Sequence, residues 1–176
     1  MIVSISGTPG TGKTAVAKVL VKRLDANLIS ISKLLNELDS GWDKSRKTKI
    51  IDVKDLQKTV KKHLVKRKIN IIDGHLSHLI DSDIVIILRC NPRVLEKRLN
   101  RKEWSKRKIK ENVEAEILDE ISAESKNACE IDTSNKKPDA VAVIIGRILK
   151  NPKKYKHLRI GNIDWSEKYK EYLKSK

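Results

Sequence analysis

The sequence contains no phenylalanine and few other aromatic residues, with three tryptophans and three tyrosines among 176 residues. Proteins that hold single-stranded nucleic acid usually stack its bases on aromatic side chains, so this scarcity argues against a base-stacking platform. Two cysteines, Cys90 and Cys129, are too few for a disulfide framework and suggest a reducing compartment. Neither lies in a Cys-x-x-Cys or Cys/His cluster, so the sequence does not indicate a zinc site.

Long apolar segments are also missing. No apolar run approaches the roughly 20 residues that a membrane-spanning helix requires. The chain passes from Met1 directly into the apolar run 2–6, so we expect no signal or transit peptide. These features predict a cytoplasmic protein, and a length of 176 residues predicts one domain with a single core.

What the sequence has in excess is positive charge. It contains 39 Lys and Arg residues against 23 Asp and Glu residues, which gives a net charge of +16. Such an excess favours polyanions, because their condensed counterions are released on binding. The charge therefore predicts proximity to nucleic acid, with contacts mainly to RNA phosphates or through a protein partner. Lysine enrichment from organismal bias or thermophily is the alternative explanation.

The strongest motif is Gly-Thr-Pro-Gly-Thr-Gly-Lys-Thr at residues 7–14, between an apolar run and an amphipathic stretch. This is G-x-x-x-x-G-K-[ST] between a predicted strand and a predicted helix, the context in which the motif binds nucleotide phosphates. Backbone N–H groups of the loop point inward, and the following helix adds unpaired N–H donors and the positive end of its dipole. We predict that Lys13 reaches the β- and γ-phosphates and that the Thr14 hydroxyl binds Mg²⁺. A glycine- and proline-rich turn without a ligand is the alternative.

Apolar strands and amphipathic helices alternate along the chain. The predicted strands are 2–6, 27–31, 69–73, 84–89 and 129–132, and the predicted helices are 12–24, 33–38 with Ser32 as N-cap, 52–66, 91–99, 109–126 and 139–149. This alternation predicts an α/β fold, with a parallel sheet, right-handed crossovers and helices on both faces. The phosphate loop would then lie at the carboxyl edge of the sheet, where such folds bind ligands.

A second candidate site follows the third strand, which ends at Asp73 and is followed by Gly74 and His75. A carboxylate at the end of a neighbouring strand is where a P-loop enzyme places the acid beside Mg²⁺. We therefore predict that Asp73 is a metal-side residue, with a turn cap as the alternative. His75 is a candidate to orient a water or to sense the γ-phosphate, and local hydrogen bonding is its alternative role.

Three further segments are polar and basic. Residues 97–110 contain eight basic residues against one acid and are predicted to close over the polyphosphate, neutralising its charge and excluding water. Residues 39–51, which include Arg46, are predicted to bind the acceptor. The tail 150–176 is predicted to pack on the core and end in a short helix. The alternatives are a solvated charged helix for 97–110, a plain surface loop for 39–51 and a frayed end for 150–176. The candidate lid cations are Arg98, Arg101, Lys102, Lys106, Arg107 and Lys108.

Three of these stretches together resemble a known family: residues 7–14, residues 73–75 and residues 98–117. They are similar to the small atypical adenylate kinases of the adenylate kinase isoenzyme 6 type, which occur in archaea and in eukaryotic nuclei. The resemblance covers about residues 1–149 and includes Thr-Ser-Asn at 133–135. It implies a P-loop nucleoside-monophosphate-kinase fold with a five-stranded parallel sheet of order 2-3-1-4-5. It also implies an AMP-binding arm at about 30–53 and a lid at about 101–111.

The resemblance implies ATP:AMP phosphotransfer with Mg²⁺, together with ATPase activity. It also implies a role in small-ribosomal-subunit maturation and rRNA processing, through a ribosomal protein of the uS11 type. Either Arg101 or Lys102 would be the lid cation, and Asn135 and Lys136 would lie near the adenine. The implied nucleotide contacts are Gly10, Thr11, Gly12, Lys13, Thr14, Ala15, Lys102, Asn135 and Lys136.

The sequence departs from the family pattern at two places. Ordinary adenylate kinases carry Asp-Gly-x-Pro-Arg at the end of the third strand, whereas His75 is followed by no arginine here. Family lids often contain Arg-Gly-Tyr, whereas residues 102–104 are Lys-Glu-Trp, and lysine lacks the bidentate fork of arginine. Three hypotheses stay open: an adenylate-kinase-like phosphotransferase with ATPase activity, an ATP-gated assembly factor that binds a ribosomal protein or rRNA, and a P-loop kinase of another small metabolite.

Overall fold

The computed structural model describes residues 1–38, 41–43, 48–125 and 127–174, and for 41–43, 48–50 and 174 it describes the backbone alone. The strands are β1 (Ile2–Ser6), β2 (Asn27–Ser30), β3 (Gly41–Asp43), β4 (Thr48–Ile50), β5 (Asn70–Asp73), β6 (Ile84–Arg89) and β7 (Cys129–Asp132). Five of them form a parallel sheet in the order β2-β5-β1-β6-β7. Numbered among themselves, these five strands have the predicted order 2-3-1-4-5, so the predicted fold is confirmed.

Helices connect the strands of the sheet, and several of them begin at a capping side chain or a proline. They are α1 (Lys13–Leu24), α2 (Ile31–Leu34), α3 (Val53–Lys62), α4 (Pro92–Asn100), α5 (Lys106–Ile117), α6 (Glu120–Glu124), α7 (Pro138–Lys150) and α8 (Lys170–Lys174), with 3-10 turns at Ser77–Leu79 and Pro152–Leu158. Asp52 caps α3 by accepting the backbone N–H of Lys54 at 2.6 Å. Helices α4 and α7 begin with proline, whose missing N–H would have no partner at that position anyway.

Alternating strand residues supply both faces of the sheet. Ile71 packs on one face with residues of α1 and α7, and Ile72 packs on the opposite face with residues of α3. A third apolar cluster joins α4 and α5 to the C-terminal segment, where Tyr169 is only 3% exposed. The sheet is thus covered on both faces, which explains why its strands read as nearly continuous apolar runs.

Three predicted helices differ from the structure. The helix predicted over 52–66 ends at Lys62. The helix predicted over 33–38 is instead α2, which begins after Ser30; residues 35–38 follow it as a turn and a bend. The single helix predicted over 109–126 is interrupted after Ile117, because Asp119 adopts a left-handed conformation with φ 55°. The carboxylate of Asp119 binds the buried guanidinium of Arg89, so a tertiary contact overrides the helical periodicity.

The insertion predicted as a polar segment over 39–51 contains regular structure. Strands β3 and β4 pair antiparallel, with Trp42 opposite Lys49. The C-terminal segment passes beside β7, where the Ile160 N–H donates to the Ala128 carbonyl at 3.2 Å. Within the part of the chain that the structure describes, no helix has the length and apolar character needed to cross a membrane.

Candidate active site

The loop between β1 and α1 is shaped by glycines in conformations that other residues rarely adopt. Gly12 caps α1 with φ 99° and no side-chain cap, so the first N–H groups of the helix lack a side-chain partner there. Gly7 has φ 137°, and a Cβ atom at this position would lie 2.3 Å from the Leu88 carbonyl oxygen. The loop therefore packs tightly against β6 while it presents the positive end of a twelve-residue helix.

Lys13 lies folded against the loop. Its Nζ donates to the carbonyl oxygens of Gly7 at 2.7 Å and Thr8 at 3.1 Å. Burial lowers the pKa of Lys13 to about 8, with the Asp73 carboxylate acting in the opposite direction and Lys102 adding to the lowering. The side chain is still mostly an ammonium ion at pH 7, and an anion bound in the loop would favour that charged form.

Thr14 and Asp73 meet where the loop faces the end of β5. The Thr14 hydroxyl donates to Asp73 Oδ2 at 2.7 Å. Asp73 is 3% exposed, and its other oxygen, Oδ1, is buried with no hydrogen-bond partner among the described residues. A hydroxyl and a carboxylate with a spare oxygen suit Mg²⁺, which prefers oxygen ligands and usually keeps waters and substrate phosphates as the others. The residues present therefore fit a magnesium ion shared with a nucleotide.

His75 is exposed at the mouth of the same cavity. The surrounding protein removes part of the water from its ring, and Lys13 and His78 add positive charge nearby, so the pKa of His75 is lowered. The ring is therefore neutral at pH 7 and able to accept a hydrogen bond. The neighbouring His78 is buried and supports this loop, with Nδ1 at 2.9 Å from both Ser6 Oγ and the His75 carbonyl oxygen.

Two adjoining cavities surround the loop. The first has a volume of about 400 Å³ and the second about 220 Å³, and both are lined by Gly10, Gly12 and Arg98. Of the predicted site residues, the first cavity brings together Gly10, Gly12, Lys13, Thr14, Ala15, Asp73, His75 and Lys102, and the second adds Thr11 and Lys136. Arg101 and Asn135 are exposed and line neither cavity. Arg46 lies outside the described residues.

The basic lid stretch is divided between two helices and the short connection 101–105. Trp104 in that connection lines the first cavity and lies between two lysines. The Nζ atoms of Lys102 and Lys108 are 5.3 Å and 4.1 Å from the centre of the Trp104 rings. Cation–π attraction therefore gathers these two ammonium groups on either side of one residue that lines the first cavity.

Arg98 differs from the mobile lid cation that the sequence suggested. Its guanidinium donates to the carbonyl oxygens of Thr133 at 2.8 Å, Ser134 at 3.1 Å and Gly10 at 3.4 Å. Thr133 in turn donates through its hydroxyl to the Thr11 carbonyl at 2.8 Å. Arg98 and Thr133 thus brace the phosphate loop from the side of β7, and Arg98 forms a wall shared by the two cavities.

These features define a P-loop kinase with the nucleoside-monophosphate-kinase fold. A family model described as an AAA domain matches residues 3–119. The solved structure of thymidylate kinase from Candida albicans is similar in fold, with a TM-score of 0.53 and 15% identity over 88% of this chain and 93% of that chain.

Relatives that match over nearly the full length of the chain identify its family within the P-loop kinases. The chain is 41% identical to a Thermococcus onnurineus protein, over 96% of this chain and 93% of that one. It is 39% identical to a Methanocaldococcus jannaschii protein, over 98% and 97% of the two chains. Both proteins carry the name "Putative adenylate kinase". The chain belongs to this archaeal adenylate kinase family, which confirms the resemblance found in the sequence.

Proposed function

We propose that this protein transfers the γ-phosphoryl group of ATP to AMP with Mg²⁺, and that it also hydrolyses ATP when no acceptor is bound. The observation that carries the proposal is the convergence of Lys13, Thr14 and Asp73 on one cavity, which a basic lid segment borders. An electrophilic cation, a metal-binding hydroxyl and a carboxylate are the groups that phosphoryl transfer requires around the β- and γ-phosphates.

The donor nucleotide fits across the two adjoining cavities. Its phosphates would lie on the N–H groups of the loop and the first turn of α1, where they replace the loop carbonyls as partners of Lys13. The base would enter the smaller cavity between Arg98 and Lys136. The guanidinium of Arg98, held in place by backbone carbonyls, is a group on which a purine could stack.

In the transfer step, an oxygen of the acceptor phosphate forms a bond to the γ-phosphorus. The bond from that phosphorus to the β–γ bridging oxygen breaks, and its electron pair stays on ADP, so ATP and AMP yield two ADP. Lys13 stabilises the charge that develops on the transferred group, and Lys102 adds a second cation from the lid. Thr14 and Asp73 would hold Mg²⁺, which would supply positive charge to neutralise the phosphates.

In hydrolysis, water replaces the acceptor phosphate as nucleophile. The neutral ring of His75 lies at the cavity mouth and is able to accept a hydrogen bond from that water. No arginine follows His75 to bind an acceptor phosphate. The lack of this arginine favours a larger share of ATP hydrolysis, relative to phosphoryl transfer, than in an ordinary adenylate kinase.

The test is a panel of nucleoside monophosphates with ATP and Mg²⁺, in which ADP formation is measured beside a reaction without acceptor. We expect ADP formation to rise with AMP above the hydrolysis rate and Lys13→Ala to abolish both activities. Lys18→Ala, an exposed lysine on the same helix, is the matched control. ATP hydrolysis without any dependence on AMP would refute the kinase assignment and leave the ATPase assignment standing.

A second candidate function is ATP-gated assembly of the small ribosomal subunit. The observation that favours it is the net charge of +16, which includes nine Lys and Arg residues against three acids over residues 150–176. Such charge suits rRNA phosphates or a complex built on rRNA. A partner of the uS11 type remains an expectation from the family resemblance.

This second candidate predicts nucleotide-dependent binding. The protein should co-purify with small-subunit components to different extents in ATP, in ADP and without nucleotide. Binding that is identical in all three states would exclude gating. The kinase assay and the binding assay are independent, so both functions can hold together.

A further inference from the structure

We propose that Glu116 is a positioning residue for the phosphate-binding loop and that it acts through the hydroxyl of Thr8. Glu116 lies in α5, which begins behind the lid connection, and it belongs to the sequence stretch 98–117 that resembles the family most specifically. The proposed function gives it no role. The inference rests on that function for the identity of the ligand, because the loop it concerns is the nucleotide-phosphate loop.

The contact itself is short and buried. Thr8 Oγ1 donates to Glu116 Oε2 at 2.5 Å, the length of a hydroxyl-to-carboxylate bond, and the two residues are 4% and 2% exposed. The other carboxylate oxygen, Oε1, accepts from Arg89 Nε at 2.8 Å and from the Cys90 N–H at 3.0 Å. Both oxygens of Glu116 are therefore engaged, so the carboxylate has a fixed orientation.

Thr8 transmits this orientation to the loop. While its side chain points to Glu116, its carbonyl oxygen accepts the Thr11 N–H at 3.2 Å, the Thr11 hydroxyl at 2.9 Å and Lys13 Nζ at 3.1 Å. A rotation at Thr8 would displace the turn that places the N–H groups and one of the two carbonyls that hold Lys13. Thr8 is thus the single residue that connects Glu116 to Lys13, the residue proposed to bind the transferred phosphate.

Arg89 favours the ionised form of the Glu116 carboxylate. Burial raises the pKa of Glu116, and the guanidinium of Arg89 against it acts in the opposite direction. The guanidinium also binds Glu130 at 2.7 Å and the Asp119 carboxylate. Moving Arg89 away would leave buried carboxylates without a cation, which is energetically costly. Arg89 and Glu116 therefore form a rigid support.

The C-terminal segment closes this support from the other side. Arg89 donates to the Ile163 carbonyl at 3.3 Å, and Glu130 accepts the Gly161 N–H at 3.0 Å. We call this chain of contacts the brace: it runs from the C-terminal segment through Arg89 and Glu116 to Thr8 in the loop. Glu116 lies on α5, the helix that follows the lid connection. The brace holds the loop in its phosphate-binding shape before any nucleotide enters.

The test compares affinity for MgADP with affinity for adenosine, which lacks the phosphates that the loop binds. Calorimetric titration would be run on the full chain carrying Thr8→Val, Thr8→Ser, Glu116→Gln, and Thr59→Val as a buried threonine control in α3. We expect Thr8→Val and Glu116→Gln to weaken MgADP binding about tenfold and to leave adenosine binding unchanged, the effect expected when a hydrogen bond to a charged group is lost. Thr8→Ser keeps the hydroxyl and should stay within about threefold of the original protein.

The alternative is a purely structural contact, which would lower stability without touching phosphate recognition. Unfolding midpoints are therefore measured on the same variants. MgADP affinity within about twofold of the original in both Thr8→Val and Glu116→Gln would overturn the proposal, as would equal losses for MgADP and adenosine. If Thr8→Val does not fold, Glu116→Gln carries the same criterion. Failure to phosphorylate AMP would refute the proposed transferase and leave the brace standing, because MgADP binding is measured without catalysis.

Discussion

The unusual state of Lys13 makes nucleotide binding depend on pH in a calculable way. Burial lowers the pKa of this lysine to about 8. Phosphate binds the ammonium form, so affinity is expected to fall as the pH rises through that value. If only the charged form binds, MgADP affinity falls about eightfold between pH 7.5 and pH 9.

The same linkage predicts a proton taken up on binding. With a pKa of about 8, Lys13 is about half neutral at pH 8. Phosphate beside it would raise the pKa, so about half a proton should be taken up with each nucleotide. At pH 6.5 only about 3% of the side chain is neutral, and uptake at this lysine should be close to zero. Calorimetric titration of MgADP in two buffers with different ionisation enthalpies measures this number directly.

Two variants test whether Lys13 causes the pH dependence of MgADP affinity. Lys13→Met should bind MgADP weakly, with little change in affinity over the same pH range. Lys18→Met removes an exposed lysine from the same helix and should behave as the original protein. Constant MgADP affinity from pH 7.5 to pH 9, or no proton uptake at pH 8, would refute the inference that Lys13 is partly neutral and directly contacts phosphate.

Three further predictions follow from the contacts around the cavity. Asp73→Asn should lower Mg²⁺-dependent turnover about a hundredfold while MgADP affinity stays within a few fold, because the buried carboxylate beside Thr14 would hold Mg²⁺, whose charge would stabilise the transition state. Equal turnover at saturating Mg²⁺ would count against this role. Arg98→Lys loses the planar fork that braces Gly10 and Thr133, so adenosine affinity should fall about fivefold by calorimetry. Unchanged adenosine binding would contradict the proposed contact between Arg98 and the base. Nucleotide binding should draw Lys102 away from the Trp104 ring towards phosphate, which should change tryptophan fluorescence. Trp104→Leu should abolish that change. A fluorescence change that survives the substitution would come from another tryptophan and would contradict this prediction.

Local features of the sequence predict the fold and the donor side of the site. The loop 7–14 is contiguous, and its neighbours on each side carry strand and helix patterns. Asp73 is predictable because it ends a strand, and the carboxyl ends of parallel strands meet at one edge of the sheet. The sheet order came from the family resemblance, since alternation of strands and helices alone does not specify it.

The braces of the loop could not be predicted, because they join residues far apart in the chain. Thr8 and Glu116 are separated by 108 positions, and Arg98 and Gly10 by 88. Glu116 reads as one acid among several on an amphipathic helix. Arg89 was the one available signal, since a charged residue at the end of an apolar strand needs buried partners. The same contact explains the missed helix break at Asp119, which turns towards that guanidinium.

The balance between transfer and hydrolysis depends on which cations remain for the acceptor. Among the described residues that line the first cavity, the basic ones are Lys13, Arg98 and Lys102, beside the neutral His75. In the proposed function Lys13 binds the donor phosphates, and Arg98 is held by backbone carbonyls. We therefore expect Lys102 to be the cation that moves between donor and acceptor. One lysine neutralises only part of the charge of an AMP phosphate, and it lacks the bidentate geometry with which arginine binds phosphate. We therefore expect acceptor binding to require the arm over 30–53, and the rigid donor site to hydrolyse ATP whenever that arm is empty.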